Sequence, residues 1–318
     1  MISFLNRRSN LRKVKVRMLN GVLNLAKPLG MTSHDVVSVV RRLTGLRAVG
    51  HTGTLDPAAS GVMIVCLGRA TKFARFFESL EKTYWTVLQL GACTDTQDAT
   101  GCIISTAEVL PYSTHDIRRV LSLFTGSIQQ VPPMYSAVKH QGERLYHLAR
   151  RGQTVIREAR DVYIRCLECL DMRQTRMTLS VICSKGTYIR TLGESVGLAL
   201  GCGAHILHLQ RCRVGPYSYR HAWSLEDLAQ LARSGELQTA LIPLTEALSF
   251  LPAVPLSACQ CATLRIQPQG VLKSISKTLE RLPSDISSYR LCDQAQYTVA
   301  VIQRQASPCN VWKIAVTS

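Results

Sequence analysis

Apolar and polar positions alternate over residues 21–26 (Gly-Val-Leu-Asn-Leu-Ala), which predicts a short strand, and Lys27-Pro28-Leu29-Gly30 closes it with a turn. From residue 34 the period changes. Val36, Val37, Val40 and Leu43 share one face of a helix over about 34–44, with Thr32 or Ser33 as its cap. Residues 45–61 are rich in Gly, Thr and Pro and show no period, so they predict a long loop. A continuous apolar run from Gly61 to Gly68 predicts a buried strand, followed by a helix through about Leu80.

Lys82 to Leu90 again reads as a strand, and residues 94–101 as a turn. Thr114 is placed to cap a helix to about Phe124, and residues 132–142 are irregular. A helix carries Arg144 to Arg150, strands follow near 160–170 and 176–183, and a helix spans about 188–200. A strand over about 205–213 and a helix opened by Ser224 complete this part of the chain. No regular βαβ repeat links these elements. The pattern predicts an α+β fold with a mixed, mostly antiparallel sheet flanked by helices and loops. The pattern breaks near Pro252–Pro255, and the last ~65 residues read as short, β-biased and nearly helix-free. The expected organisation is a basic N-terminal arm over 1–19, a main domain over 20–250 and a small β-rich C-terminal domain over 251–318.

Charge adds a partner to this picture. The 318 residues carry 38 Lys+Arg against 21 Asp+Glu, a formal net charge of +17. Six basic side chains lie within residues 1–20, and the body of the chain is basic as well. A balance this positive favours a polyanion, either nucleic acid or an anionic membrane face. With 46% hydrophobic and 19% charged residues, the chain has ample core-forming material and does not read as disordered.

The 12 cysteines do not compose a four-ligand metal set. Cys166 and Cys169 sit three apart on a predicted strand and so point to opposite faces. Cys259 and Cys261 have no second pair nearby. Small buried hydrophobes in a reducing cytoplasm are the expected role. No run of 18 or more apolar residues predicts a membrane span, and the N-terminus lacks an apolar secretory core. Met18, just before the first periodic segment, is a candidate start. Walker loops, dinucleotide glycine fingerprints and metalloprotease histidine pairs are absent from the sequence.

The chemistry-bearing segment is Gly50-His51-Thr52-Gly53-Thr54-Leu55-Asp56-Pro57. Pro57 biases Asp56 away from helix, and a lone carboxylate on a rigid loop can serve as nucleophile or base. The alternative is an Asp-Pro turn with no chemical role. His51 is either a hydrogen-bonded structural group or an imidazole that meets a base. Arg190, in Gly186-Thr187-Tyr188-Ile189-Arg190-Thr191, stands near a helix start. It can pair with a carboxylate from elsewhere, favouring the ionised form of Asp56, or with Glu194 within its own helix. Tyr84 offers a ring for stacking on a flipped base, or packs across strands.

Taken together these segments resemble the TruB family of tRNA pseudouridine synthases. The matching pieces run in the family's order. They are Gly21-Val22-Leu23 through Lys27-Pro28-Leu29-Gly30-Met31-Thr32-Ser33; the Asp56 segment; Lys82-Thr83-Tyr84; Gly91 with Thr94-Asp95-Thr96, Asp98 and Gly101; Pro132-Pro133-Met134-Tyr135-Ser136-Ala137-Val138-Lys139 with Gly142, Arg144, Leu145 and Tyr146; Arg157-Glu158 with Arg160; Gly186 to Arg190; and Gly203-Ala204-His205 with Leu209 and Arg211. The similarity covers about residues 20–215. Ala26 and Ser195 depart from the usual family residues, at positions that are not catalytic in it.

The resemblance implies the pseudouridine synthase catalytic fold, with an RNA-clamping insertion over about 129–160 and a PUA-like tail. It implies that the T-loop uridine at tRNA position 55 is flipped out and isomerised without a cofactor or a metal. By the same match, Asp56 is the catalytic carboxylate, acting as nucleophile at C1′ or as base at C2′. Arg190 is its partner, and Tyr84 is the active-site tyrosine that stacks on the base. His51 fills the space left in the T loop, Tyr188 and Leu209 line the uridine pocket, and Lys27 belongs to the substrate-binding set. The expected partner is the tRNA T stem-loop, with no membrane and no obligate protein partner; a cytoplasmic monomer is expected. Two rival readings are a tRNA-folding chaperone, with or without catalysis, and the guide-RNA-dependent dyskerin type, against which the short tail speaks.

Overall fold

The computed structural model describes residues 19–305 and 312–317. The basic arm therefore lies outside the described residues except for Leu19, and the Met18 start lies outside them too.

The main body is built on one twisted sheet. Its first strand β1 (Gly21–Lys27) leads through a turn to helix α1 (Ser33–Thr44), and a short strand β2 (Val49–His51) precedes β3 (Ala59–Leu67). Then come β4 (Lys82–Leu90), α2 (Thr114–Ser122), β5 (Gly126–Gln130), α3 (Leu145–Arg150), β6 (Arg160–Arg173), β7 (Arg176–Cys183), α4 (Ile189–Ala199), β8 (Ala204–Val214) and α5 (Leu225–Ser234). The strand order is β1-β3-β8-β4-β7-β6-β5, with β2 beside β3. Only β3 and β8 run parallel in this path; the other pairs are antiparallel. The fold is thus α+β with a mixed, mostly antiparallel sheet.

Local sequence explains the elements that flank the site. Thr32 caps α1 through a capping box with Asp35, and Gly45 ends the helix in the left-handed region. Val36, Val37, Val39 and Val40 are buried against β1 and β3, each contributing about 1.5–3 kcal/mol. Helix α4 lies flat on the sheet because it carries Gly197 where β8 passes: a Cβ there would come within 2.3 Å of the Ala204 amide nitrogen. Leu192 and Val196 of that helix join Leu88, Leu179 and Ile206 in the largest core cluster.

Several local expectations change. The segment expected as loop from 45 to 61 contains β2, and β3 begins at Ala59, because paired backbone carries the irregular sequence. The helix expected to run to about Leu80 divides into a 3₁₀ segment over Gly68–Phe73 and a short α-helix over Ala74–Glu78. Helix α2 is capped by Ser113, whose hydroxyl accepts from the Asp116 amide, rather than by Thr114. Strand β5 had no alternating signature of its own.

The tail contains the expected small sheet: β9 (Ala253–Pro255), β10 (Ser288–Cys292), β11 (Thr298–Arg304) and β12 (Trp312–Thr317) pair in that order. It is not nearly helix-free. Helices α6 (Ala258–Ile266), α7 (Pro268–Ser274) and α8 (Ser276–Glu280) stand between β9 and β10. Ser257 caps α6 in a capping box with Gln260, and Pro268 opens α7, where its missing N–H costs nothing. Each described cysteine is a free thiol. Among the described residues no helix is long and apolar enough to cross a membrane.

Candidate active site

The loop between β2 and β3 is fixed by backbone bonds and by two side chains, Ser33 and Arg211. Thr52 donates its amide to Ile64 at 3.1 Å, and the Gly30 amide donates to the Pro57 carbonyl at 2.8 Å. Ser33 does not cap α1. Its buried hydroxyl accepts from the Leu55 amide at 2.8 Å and donates to the Leu55 carbonyl at 3.0 Å, across 22 residues of sequence. The Arg211 guanidinium donates to the carbonyls of Gly53 at 3.2 Å and Thr54 at 3.3 Å. Leu55 is itself buried, so the residue before Asp56 is locked by both packing and hydrogen bonds.

Asp56 meets Arg190 at the head of α4. Nε of Arg190 donates to Oδ2 of Asp56 at 2.8 Å. The arginine side chain is 5% exposed and the aspartate side chain 36% exposed, so the carboxylate is anchored from inside and open on its outer face. Arg190 also donates Nη1 to the Thr96 carbonyl at 2.8 Å and Nη2 to the Tyr135 carbonyl at 2.7 Å. Oδ2 of Asp98 stands 3.8 Å from Nε of the same guanidinium. Asp98 is held in turn by the hydroxyls of Thr96 and Thr100 and the Thr100 amide. The intrahelical alternative is not used: Glu194 accepts from Gln97 Nε2 instead.

Tyr84 projects from β4, the strand between β7 and β8, opposite Val181 on one side and Arg211 on the other. It is buried among Leu55, Ile189 and Leu209 in the core beneath Asp56. Burial pushes the phenol above its ordinary value, against the opposing pull of the Arg211 cation, so Tyr84 carries its proton near neutral pH. Leu209 is buried on β8 opposite Ala59 and Thr86, on the same floor. Tyr188 is the residue before α4 and is half-buried. The Gln130 amide group clasps its backbone, accepting from the Tyr188 N–H at 2.7 Å and donating to its carbonyl at 3.0 Å. Asp56, Tyr84, Arg190, Tyr188 and Leu209 therefore converge on one place.

His51 lies at the entry to the loop, half-buried, with Nδ1 accepting from the Gly53 amide at 3.3 Å. Burial, helped by Arg211, lowers its pKa, which favours the neutral imidazole. Lys27, expected in the substrate-binding set, stands beneath the loop rather than at its open face. Its side chain is buried, and the ammonium donates to the carbonyls of Pro28 at 2.9 Å and Met31 at 2.7 Å. It ties down the turn that holds Pro57, and burial lowers its pKa to about 8.

Four further residues shape this site: Ser33, Asp98, Gln130 and Arg211. The sequence placed Asp98 and Arg211 within family segments but gave neither a role. Nothing in the local pattern of its strand marked Arg211 as buried. For Ser33 the signal was the unresolved choice of cap.

The segment after Gln130 also contacts the site. It forms a small hairpin, Lys139–His140 with Glu143–Arg144, followed by α3. Lys139, Arg144, Arg150 and Arg151 are exposed on it. Tyr135, which accepts from Arg190, lies between Gln130 and that hairpin.

Comparison with known proteins matches the chain to the TruB family pseudouridylate synthase N-terminal domain over residues 41–189. It matches the tRNA pseudouridylate synthase B C-terminal domain over residues 190–249. The tRNA pseudouridine synthase B of Pelotomaculum thermopropionicum is 44% identical over 241 residues, covering 74% of this chain and 76% of that protein. The protein of the same name from Pseudomonas putida is 46% identical over 244 residues, covering 76% and 80%. Among solved structures, the crystal structure of a Cbf5–Nop10–Gar1 complex contains a chain that superposes with a TM-score of 0.69 at 25% identity, covering 96% of this chain and 86% of that one.

Proposed function

The chain belongs to the TruB family of pseudouridylate synthases and is a tRNA pseudouridine synthase, an isomerase, and we propose that it converts the T-loop uridine at tRNA position 55 with Asp56 as the reacting carboxylate. One observation carries the assignment of Asp56. Its Oδ2 is fixed by Arg190, which is almost wholly buried, while its outer face stays open to a ligand.

The reaction breaks the C1′–N1 bond, turns the uracil while it is bound, and joins C1′ to C5; the C5 proton leaves and N1 gains one. An ionised carboxylate serves either opening step, attack on C1′ or removal of a proton from C2′. Arg190 holds one oxygen of Asp56 from the buried side at 2.8 Å and leaves the other for the sugar. Tyr84 supplies a ring under the base and a phenolic oxygen at its edge. Flipping the uridine out of its loop costs a few kcal/mol, which stacking and phosphate contacts offset. The basic exposed face around Lys139, Arg144 and Arg150 suits those phosphates.

The substrate in this reading is the T stem-loop of tRNA, and the enzyme works as a monomer in the cytoplasm. The test is to incubate the purified protein with an unmodified tRNA transcript and map pseudouridine along it. Modification at the T-loop position is expected; its absence there overturns the reading.

A further inference from the structure

Arg211 is 2% exposed at the middle of the sheet, and none of the salt bridges among the described residues involves it. A buried cation with no carboxylate against it is costly to desolvate, so a residue kept in that state needs a reason. The backbone that carries it is tightly placed between β3 and β4. Arg211 pairs with Gly61 on the parallel side, and a Cβ at Gly61 would come within 2.2 Å of the Arg211 carbonyl oxygen, at a φ of +120°.

From this position the side chain reaches both halves of the chemistry. Nε donates to the Val62 carbonyl at 2.7 Å, at the start of the buried run of β3. The two terminal nitrogens hold Gly53 and Thr54, three and two residues before Asp56. On the other side Arg211 is the direct cross-strand partner of Tyr84, so the two side chains stand on one face of the sheet. A guanidinium has donors only. The phenolic oxygen beside it must therefore turn its lone pairs toward Arg211 and its proton away. A cation in that place also steadies the phenolic oxygen whenever the proton is lost.

We propose that Arg211 is a positioning residue for the isomerisation: it fixes the backbone that aims Asp56 and, through the same guanidinium, orients the Tyr84 hydroxyl. The proposal rests on the pseudouridine-forming reading of this site. Its test compares the wild type with Arg211→Lys, Arg211→Gln, Tyr84→Phe and the double variant Arg211→Lys/Tyr84→Phe. Single-turnover pseudouridine formation on a tRNA transcript, tRNA binding by filter retention, and circular dichroism are measured for each.

Arg211→Lys is expected to slow the single-turnover rate by about 10²-fold, with tRNA binding within about twofold of wild type. In the double variant the Lys substitution should cost less than it does alone, because part of its effect passes through the phenol. Arg211→Gln should move the alkaline limb of the pH–rate profile upward, since the cation beside Tyr84 is gone. A folded Arg211→Lys protein with wild-type rate overturns the proposal, as do strictly additive effects in the double variant. If both Arg211 variants fail to reach the wild-type circular dichroism spectrum, the role is architectural and the proposal is likewise overturned. Lack of product from the wild type would instead overturn the function reading itself.

Discussion

Arg190 gives Asp56 one hydrogen bond rather than two: Nε donates to Oδ2 at 2.8 Å, and the terminal nitrogens go to the carbonyls of Thr96 and Tyr135. The guanidinium is a three-way junction between the Asp56 loop, the turn after β4 and the segment after Gln130 that holds Tyr135.

This geometry predicts that Arg190→Lys fails. A single ammonium cannot span three acceptors that a rigid planar group reaches at once. The variant should lose about 10²-fold in kcat, and each orphaned carbonyl should cost about 1–3 kcal/mol of stability. Thermal melts and steady-state kinetics check both; a wild-type kcat would count against the Asp56–Arg190 pair.

Asp56→Asn removes the ionised oxygen while preserving shape. Pseudouridine formation should fall by more than about 10³-fold, with tRNA retained nearly as well as by wild type. A tritium-release assay beside filter binding separates the two. Turnover near the wild-type rate would defeat the carboxylate mechanism, and parallel loss of binding would show that Asp56 holds RNA rather than reacting.

Ser33→Ala tests the loop that presents the carboxylate. The hydroxyl serves both the N–H and the C=O of Leu55, so its removal strands two backbone groups, each at about 1–3 kcal/mol. A lower melting temperature and a lower kcat are expected, with KM little changed. Unchanged kcat in a destabilised protein would mean that the loop keeps its aim without this anchor.

Lys27 makes a prediction about pH. Burial pushes its pKa from the ordinary 10.5 to about 8. The unfolded chain therefore holds this proton more tightly than the folded one, and the charged ammonium is a cost to the fold below about pH 8. That cost shrinks as pH rises from about 8 toward 10.5. The stability of the wild type relative to Lys27→Met should therefore climb through this window in urea melts. A flat or falling difference would show that the Pro28 and Met31 carbonyls keep the folded ammonium as basic as the unfolded one.

Much of the fold was legible because its elements are long and regular in pattern. The valines of α1 and the alternation of β1, β4 and β8 fix elements that tertiary contacts then reinforce. The site was legible in its loop and its helix start, where Gly, Pro and charged residues punctuate the pattern. Arg190 had two partners on sequence grounds, and only the fold decides between them: Gln97 occupies Glu194, leaving Arg190 for Asp56. Ser33 was hidden because its partner is 22 residues away while a local role as cap was equally available. Arg211 was hidden because a charge within an apolar strand reads as an exposed position, whereas its acceptors come from a distant loop. Helix α6 escaped because Ala258–Ile266 mixes small and β-branched residues without an amphipathic stripe.

The tail is less separable than its composition suggests. Val301 of β11 is buried in the same apolar cluster as Phe73, Phe77, Leu248 and Leu251 of the main body, and Ala315 and Val316 of β12 pack against it. The Arg75 guanidinium, on the short helix between β3 and β4, bonds the Ala315 carbonyl at 2.9 Å. A chain cut at the Pro252–Pro255 break would bare that cluster to water, so the two units should melt together instead of in sequence. A fault in the tail, far from any uridine, would then register in a cell as fewer working molecules, each of them as fast as before.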